Sequence, residues 1–137
     1  NRSICNRSYN DLSVFDAYEV ARESVMPLFP EKIIIQLGET DLMDGEHTSD
    51  EVISEYRNVI KAIRKVDKHQ KIVLVSLNNL TDREVQAEFN RSLEKLASET
   101  KSTYADISNI QQDDRTHIQA FRLLKFFMSD DIVLQLI

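Results

Sequence analysis

The stretch 32-KIIIQLGETDL-42 opens on three consecutive isoleucines and closes on a glycine followed by acids. A strand with one solvated face alternates apolar with polar residues. An unbroken isoleucine run requires both faces to be covered, the condition of a parallel strand between two layers of helices. The run 71-KIVLVSL-77 has the same character. A third stretch, 102-STYADIS-108, is less apolar and fits a strand at the edge of the sheet.

Helical spacing fills the intervals. Thr48-Ser49-Asp50-Glu51 has the form of a capping box, with Thr48 as cap and Glu51 reaching back. Val52, Ile53, Tyr56, Val59, Ile60 and Ile63 then repeat on one helical face. Thr81-Asp82-Arg83-Glu84 opens a second helix the same way, with Val85, Phe89, Leu93 and Leu96 as its stripe. Val14, Tyr18, Ala21 and Val25 predict a helix from about residue 11 that Pro27 and Pro30 stop. Ile118, Phe121, Leu124 and Met128 mark a last helix.

Strands alternating with helices imply right-handed crossovers and a parallel sheet covered on both sides. The expected fold is one three-layer α/β/α domain over 1–137 with a flavodoxin-like sheet. Such a sheet usually has about five strands. Fewer can be read here, and the chain opens with a polar segment and a helix. The first strand is therefore expected to be missing, leaving the domain incomplete at its N-terminus. The apolar tail 130-DDIVLQLI-137 is expected to pack on this domain or on a partner.

Composition narrows the function. At 137 residues, 42% hydrophobic and 29% charged, the chain has an ordinary globular make-up. A net charge of −6 argues against a nucleic-acid partner, which needs a clustered basic footprint. No apolar run reaches the roughly 20 residues of a membrane span. With only two glycines, Gly38 and Gly45, neither G-x-G-x-x-G nor a P-loop can be built, and no cofactor is expected. Cys5 is the single cysteine, which excludes an internal disulfide and favours a reducing, cytoplasmic setting. The loop 39–47 is acidic, but its spacing matches no calcium-loop pattern, and no metal is expected. His47 and His69 read as exposed loop residues. Three Asn-Arg-Ser sequons, at Asn1, Asn6 and Asn90, are short enough to arise by chance, and Asn90 falls in a predicted helix.

In open parallel sheets, sites form at the carboxyl ends of the strands. The first strong strand ends in Gly38-Glu39-Thr40-Asp41, and the edge strand leads towards Asp114-Arg115-Thr116-His117. An Asp three residues before a His can accept from Nδ1–H and leave Nε2 free as a base. Taken alone, the same spacing is equally a polar turn in which Asp114 caps a helix beginning near Thr116.

Block by block, the chain resembles the SGNH hydrolases, also called GDSL esterases and lipases. That family ends a strand in Gly-x-Asn-Asp, matched here by 34-IIQLGETDL-42. It carries Asp-x-x-His before a C-terminal helix, matched by Asp114 to His117, and often Asn-Arg-Gly-Ile-x-Gly, matched loosely by 1-NRSICN-6. The resemblance implies that His117 is the general base and Asp114 its orienting carboxylate. It places the oxyanion hole at Asn6, Gly38 and Thr40, with Asn6 where the family has Gly and Thr40 where it has Asn. The family's nucleophilic serine belongs to a Gly-Asp-Ser block that would precede Asn1. The implied activity is cleavage of small acyl or O-acetyl esters, on a carbohydrate or lipid, by a Ser-His-Asp mechanism. Two other readings stand beside it: a non-catalytic relative that retains the cleft, and an unrelated flavodoxin-like binding or signalling domain. The sequence does not specify an oligomeric state.

Overall fold

The computed structural model describes residues 4–7, 12–43, 45–109 and 133–136, with 4–7 and 133–136 described as backbone. Asp114 and His117, the predicted last helix and its phenylalanines lie outside the described residues. The elements are β1 (Ile4–Arg7), α1 (Val14–Val20), β2 (Lys32–Ile35), α2 (Glu39–Met43) and α3 (Ser49–Val66). They are followed by β3 (Lys71–Val75), α4 (Arg83–Glu99), β4 (Thr103–Ala105) and β5 (Val133–Leu136).

All strand pairs are parallel, in the order β1-β5-β2-β3-β4. The two isoleucine- and valine-rich runs lie side by side, Ile33 against Ile72 and Ile35 against Leu74. The weak third run is β4, at the sheet edge as its composition predicts. A flavodoxin-like sheet has its strands in the order 2-1-3-4-5. Here β1, β2, β3 and β4 take the places of strands 2 to 5, and β5, last in sequence, fills the place of the first. The apolar tail thus packs within this domain, bracketed by Ile4–Arg7 on one side and Lys32–Ile35 on the other.

The isoleucine run divides between the two faces, as strand geometry requires. Ile33 and Ile35, with Ile72 and Leu74, join Val14, Tyr56, Ile60, Ile63, Phe89 and Leu93 in the main core. Ile34, Val75 and Ile107 form a smaller cluster of their own, with Val73 and Ala105 packed against it. The stripes predicted for α3 and α4 point into the main core, with Ile53 and Val85 at its margin.

Three local details depart from expectation. Thr48 accepts from the Glu51 amide at 3.2 Å, but the Glu51 carboxylate meets His47 Nδ1 at 3.1 Å instead of turning back. His47 is half-buried and stacks on Phe15 with ring centroids 4.6 Å apart, so it is more than an exposed loop residue. The cap of α4 is Asp82, not Thr81: its Oδ1 accepts from the amides of Glu84 and Val85. A carboxylate satisfies two orphan amides and complements the positive helix end, which a hydroxyl does less well. Finally, α1 starts at Val14 and does not run unchanged to the prolines. It widens into a π turn over Ala21–Val25, then tightens into a 3-10 turn over Met26–Leu28 that closes on left-handed Phe29.

Candidate functional site at the carboxyl ends of the strands

From β2 the chain runs through Gln36, Leu37 and Gly38 directly into α2. Gly38 has φ of +109°, which a side-chain-bearing residue rarely adopts. A Cβ here would also stand 3.1 Å from Phe89 Cζ and 3.2 Å from Val52 Cγ1. Backbone conformation and packing both require glycine at this strand end.

The turn is held from below by one phenol. Tyr56 Oη accepts from the Leu37 amide at 2.7 Å and donates to the Leu37 carbonyl at 2.9 Å. The ring is fully buried, and that burial pushes its ionisation well above the ordinary phenol value of 10.0. Tyr56→Phe is expected to leave both backbone groups of Leu37 without a partner, a cost of about 2–5 kcal/mol. Because the folded value is raised, this tyrosine's contribution is complete below pH 10.0 and falls as the pH rises past it. Urea unfolding of both proteins at neutral pH measures the loss; equal midpoints would contradict the double role of the hydroxyl.

Asp41 is only 3% exposed, and its carboxylate is engaged by the start of α1. Its carboxylate accepts from Ser13 Oγ and, at 2.9 Å, from the Val14 amide. It thereby ties the start of α1 to α2. Thr40, in the first turn of α2, is half-buried and its hydroxyl has no hydrogen-bond partner among the described residues. Asn6 sits inside the β1 ladder, opposite Gln135, which also faces Ile34. It is level with Ile34, inside the paired part of the sheet, whereas Gly38 lies beyond the end of β2 at Ile35. Gly38 and Thr40 are brought together; Asn6 is not brought to them.

The ends of β2, β3 and β4 are laced laterally. Gln36 Nε2 donates to the Ser76 carbonyl at 2.9 Å, and Ser76 N donates to the Ala105 carbonyl at 3.0 Å. Ser76 Oγ accepts from Ile107 N at 2.7 Å and donates to Asp106 Oδ1 at 3.3 Å. Ser108 gives the same oxygen its hydroxyl and its amide, at 2.6 and 2.9 Å, and these bonds hold the Asp106 carboxyl below the usual carboxylate range. This network anchors the chain just before it continues towards Asp114 and His117.

Sequence reading passed over the Tyr56 hydroxyl, because at that position the residue simply continued an apolar stripe. It also passed over 78-NN-79 after β3. Asn79 Oδ1 is buried with no hydrogen-bond partner, beside a loop pinned by Asn90 and Gln86 to Leu77 and Leu80. Two amides directly after a buried strand were the available signal. Among the described residues no three His, Cys, Asp or Glu side chains converge as a metal site, and no helix is long and apolar enough to cross a membrane.

No family model and no curated protein matches the sequence. Solved structures do match the fold. A protein described as a GDSL-like lipase from Parabacteroides merdae superposes with a TM-score of 0.61 at 17% identity, over 90% of this chain and 61% of that one. A variant of an acetyl esterase, crystallised with acetate ion, gives a TM-score of 0.62 at 14% identity, over 88% of this chain and 72% of its own. The chain thus spans about three fifths of the lipase-like protein's length. With its parallel sheet, its helical layers and the glycine turn at the end of β2, this chain has the three-layer α/β/α fold of the SGNH, or GDSL-like, hydrolases.

Proposed function

We propose that this chain is the greater part of an ester hydrolase that removes small acyl or O-acetyl groups through a Ser-His-Asp mechanism. His117 is the base, Asp114 orients it, and the serine comes from a segment upstream of Asn1. The observation that carries the reading is the Gly38 turn. Its positive φ, its packing on Phe89 and Val52, and the Tyr56 clamp on Leu37 build a rigid backbone corner at the strand mouth. That is where a developing oxyanion has to be met by fixed donors.

The donors assigned are the Gly38 amide and the Thr40 hydroxyl. Asn6, inside its strand, has no such placement, and its amide is not used. In the reaction, His117 takes the serine proton as Oγ attacks the ester carbonyl. The imidazolium then protonates the departing alcohol, and water hydrolyses the acyl-enzyme by the same route. Acetate bound in the variant of the acetyl esterase of similar fold supports a short acyl group.

Thr40 in place of the family's Asn favours a second reading, a relative that binds esters but turns them over poorly. Losing one oxyanion donor costs on the order of 10²–10³ in rate. The test uses the full-length protein, an activated acetate ester and a serine-directed fluorophosphonate. Hydrolysis, with labelling at one upstream serine, supports the catalytic reading. Neither hydrolysis nor labelling would sink it and leave the binding relative.

A further inference from the structure

Five arginine side chains are described, and three are satisfied within the fold. Arg22 pairs with Glu19 and Glu23, and Arg57 donates to Glu99 at 2.8 Å. Arg64 reaches the carbonyls of Gln70 and Lys101. Arg83 and Arg91 have no such partner among the described residues, and both line the same groove.

The groove runs between the outer face of α4 and the end of β4, with a volume of about 530 Å³. That is within the roughly 300–1,000 Å³ typical of small-molecule sites. Its α4 wall is rigid, because Asn90 bonds both backbone groups of Leu77 and Gln86 accepts from the Leu80 amide. Arg83 occupies the first turn of α4, where a cation opposes the helix dipole. The nearby Asp82 carboxylate is engaged by two helix amides. Glu84 shares that turn and Glu94 lines the same groove, but neither forms an ion pair with Arg83 among the described residues, so its guanidinium can turn to an external anion. Arg91 lies eight residues further on, about 12 Å along the axis. Long guanidinium side chains can close that distance on one ligand.

The opposite wall offers different chemistry. Asp106 receives all its donors on Oδ1, which leaves Oδ2 to accept from a ligand. The Tyr104 phenol is pushed up to about 12 by burial and stays protonated at neutral pH, and Ser108 stands beside it. Guanidinium groups face acceptors and donors suited to hydroxyls.

We propose that this groove binds a phosphorylated or carboxylated polyol, its anionic group on Arg83 and Arg91 and its hydroxyls on Asp106, Tyr104 and Ser108. The site lies on the β4 edge, needs no catalysis, and stands or falls independently of the ester-hydrolase reading. Isothermal titration with glucose 6-phosphate, glucuronate, inorganic phosphate and glucose tests it directly. At least one of the two sugar anions is expected to bind with Kd below about 1 mM, and glucose is expected to give no heat. The double variant Arg83→Ala/Arg91→Ala, changed only at exposed positions, is expected to bind at least about tenfold more weakly with an unaltered circular dichroism spectrum. No heat from either sugar anion at about 10 mM, or undiminished binding in the double variant, would overturn the proposal. Inorganic phosphate binding as tightly as the sugar anions would overturn the polyol assignment.

Discussion

His117→Ala is expected to lower kcat of the full-length protein on an activated acetate ester by about 10⁴-fold or more. Without the imidazole, the serine hydroxyl keeps its proton and the alkoxide leaving group departs unprotonated. Asp114→Asn should be nearly as damaging. In the proposed triad the carboxylate would accept from Nδ1–H and fix the tautomer in which Nε2 is the base; an amide there would favour the wrong one. The pair therefore acts as a unit, and the double variant should be little worse than either single one. Steady-state kinetics on the three variants decide the matter. Hydrolysis that persists in His117→Ala sinks the triad assignment, and additive losses point to two unrelated roles.

Removing β5 is expected to be the most destructive change to the fold. Among the described residues the strand is the sole sheet neighbour of β1, and it also covers one side of β2. Four residues register on each side, Ile4–Arg7 and Lys32–Ile35. At about 0.5–1.5 kcal/mol net per backbone bond, the two ladders amount to several kcal/mol. That is comparable with the whole stability of a domain, about 5–15 kcal/mol. Ile33, Ile34 and Ile35, each at most 1% exposed, would lie on a newly opened edge. A chain ending at residue 131 should lose its cooperative thermal transition. Leu134→Pro, which deprives a central strand of one amide, should lower the melting temperature of the otherwise intact chain. A truncated chain that melts as sharply, and at the same temperature, would show that the sheet does not depend on this strand.

Much of the fold was legible locally. Three isoleucines in a row could be satisfied only between two layers, and the stripes from Val52 to Ile63 and from Val85 to Leu96 fixed two helices and their buried faces. Gly38 stood out because so few glycines surround it. The cap of α4 was harder to read, since Thr81 and Asp82 both suit the position and only the chain's path chooses between them. Glu51 was misread because its alternative partner, His47, is drawn in by Phe15, a residue far away in sequence.

By itself, the sequence determined the strands within 32–37, 71–77 and 102–108, the helices after Thr48 and Thr81 with their buried faces, and that a glycine ends the first long strand. These follow from periodicity and backbone chemistry, which act over a few residues. It gave no sign that the polar segment at Ile4–Arg7 and the tail at Val133–Leu136 are strands, or that Glu39–Met43 is helical. Tertiary structure alone decided that the last strand occupies the middle of the sheet, because parallel pairing carries no local mark of its partner. It alone put the Tyr56 hydroxyl on Leu37, took Asn6 out of the Gly38 corner, and left Arg83 and Arg91 facing an open groove. Those outcomes depend on which distant groups the folded chain brings within reach.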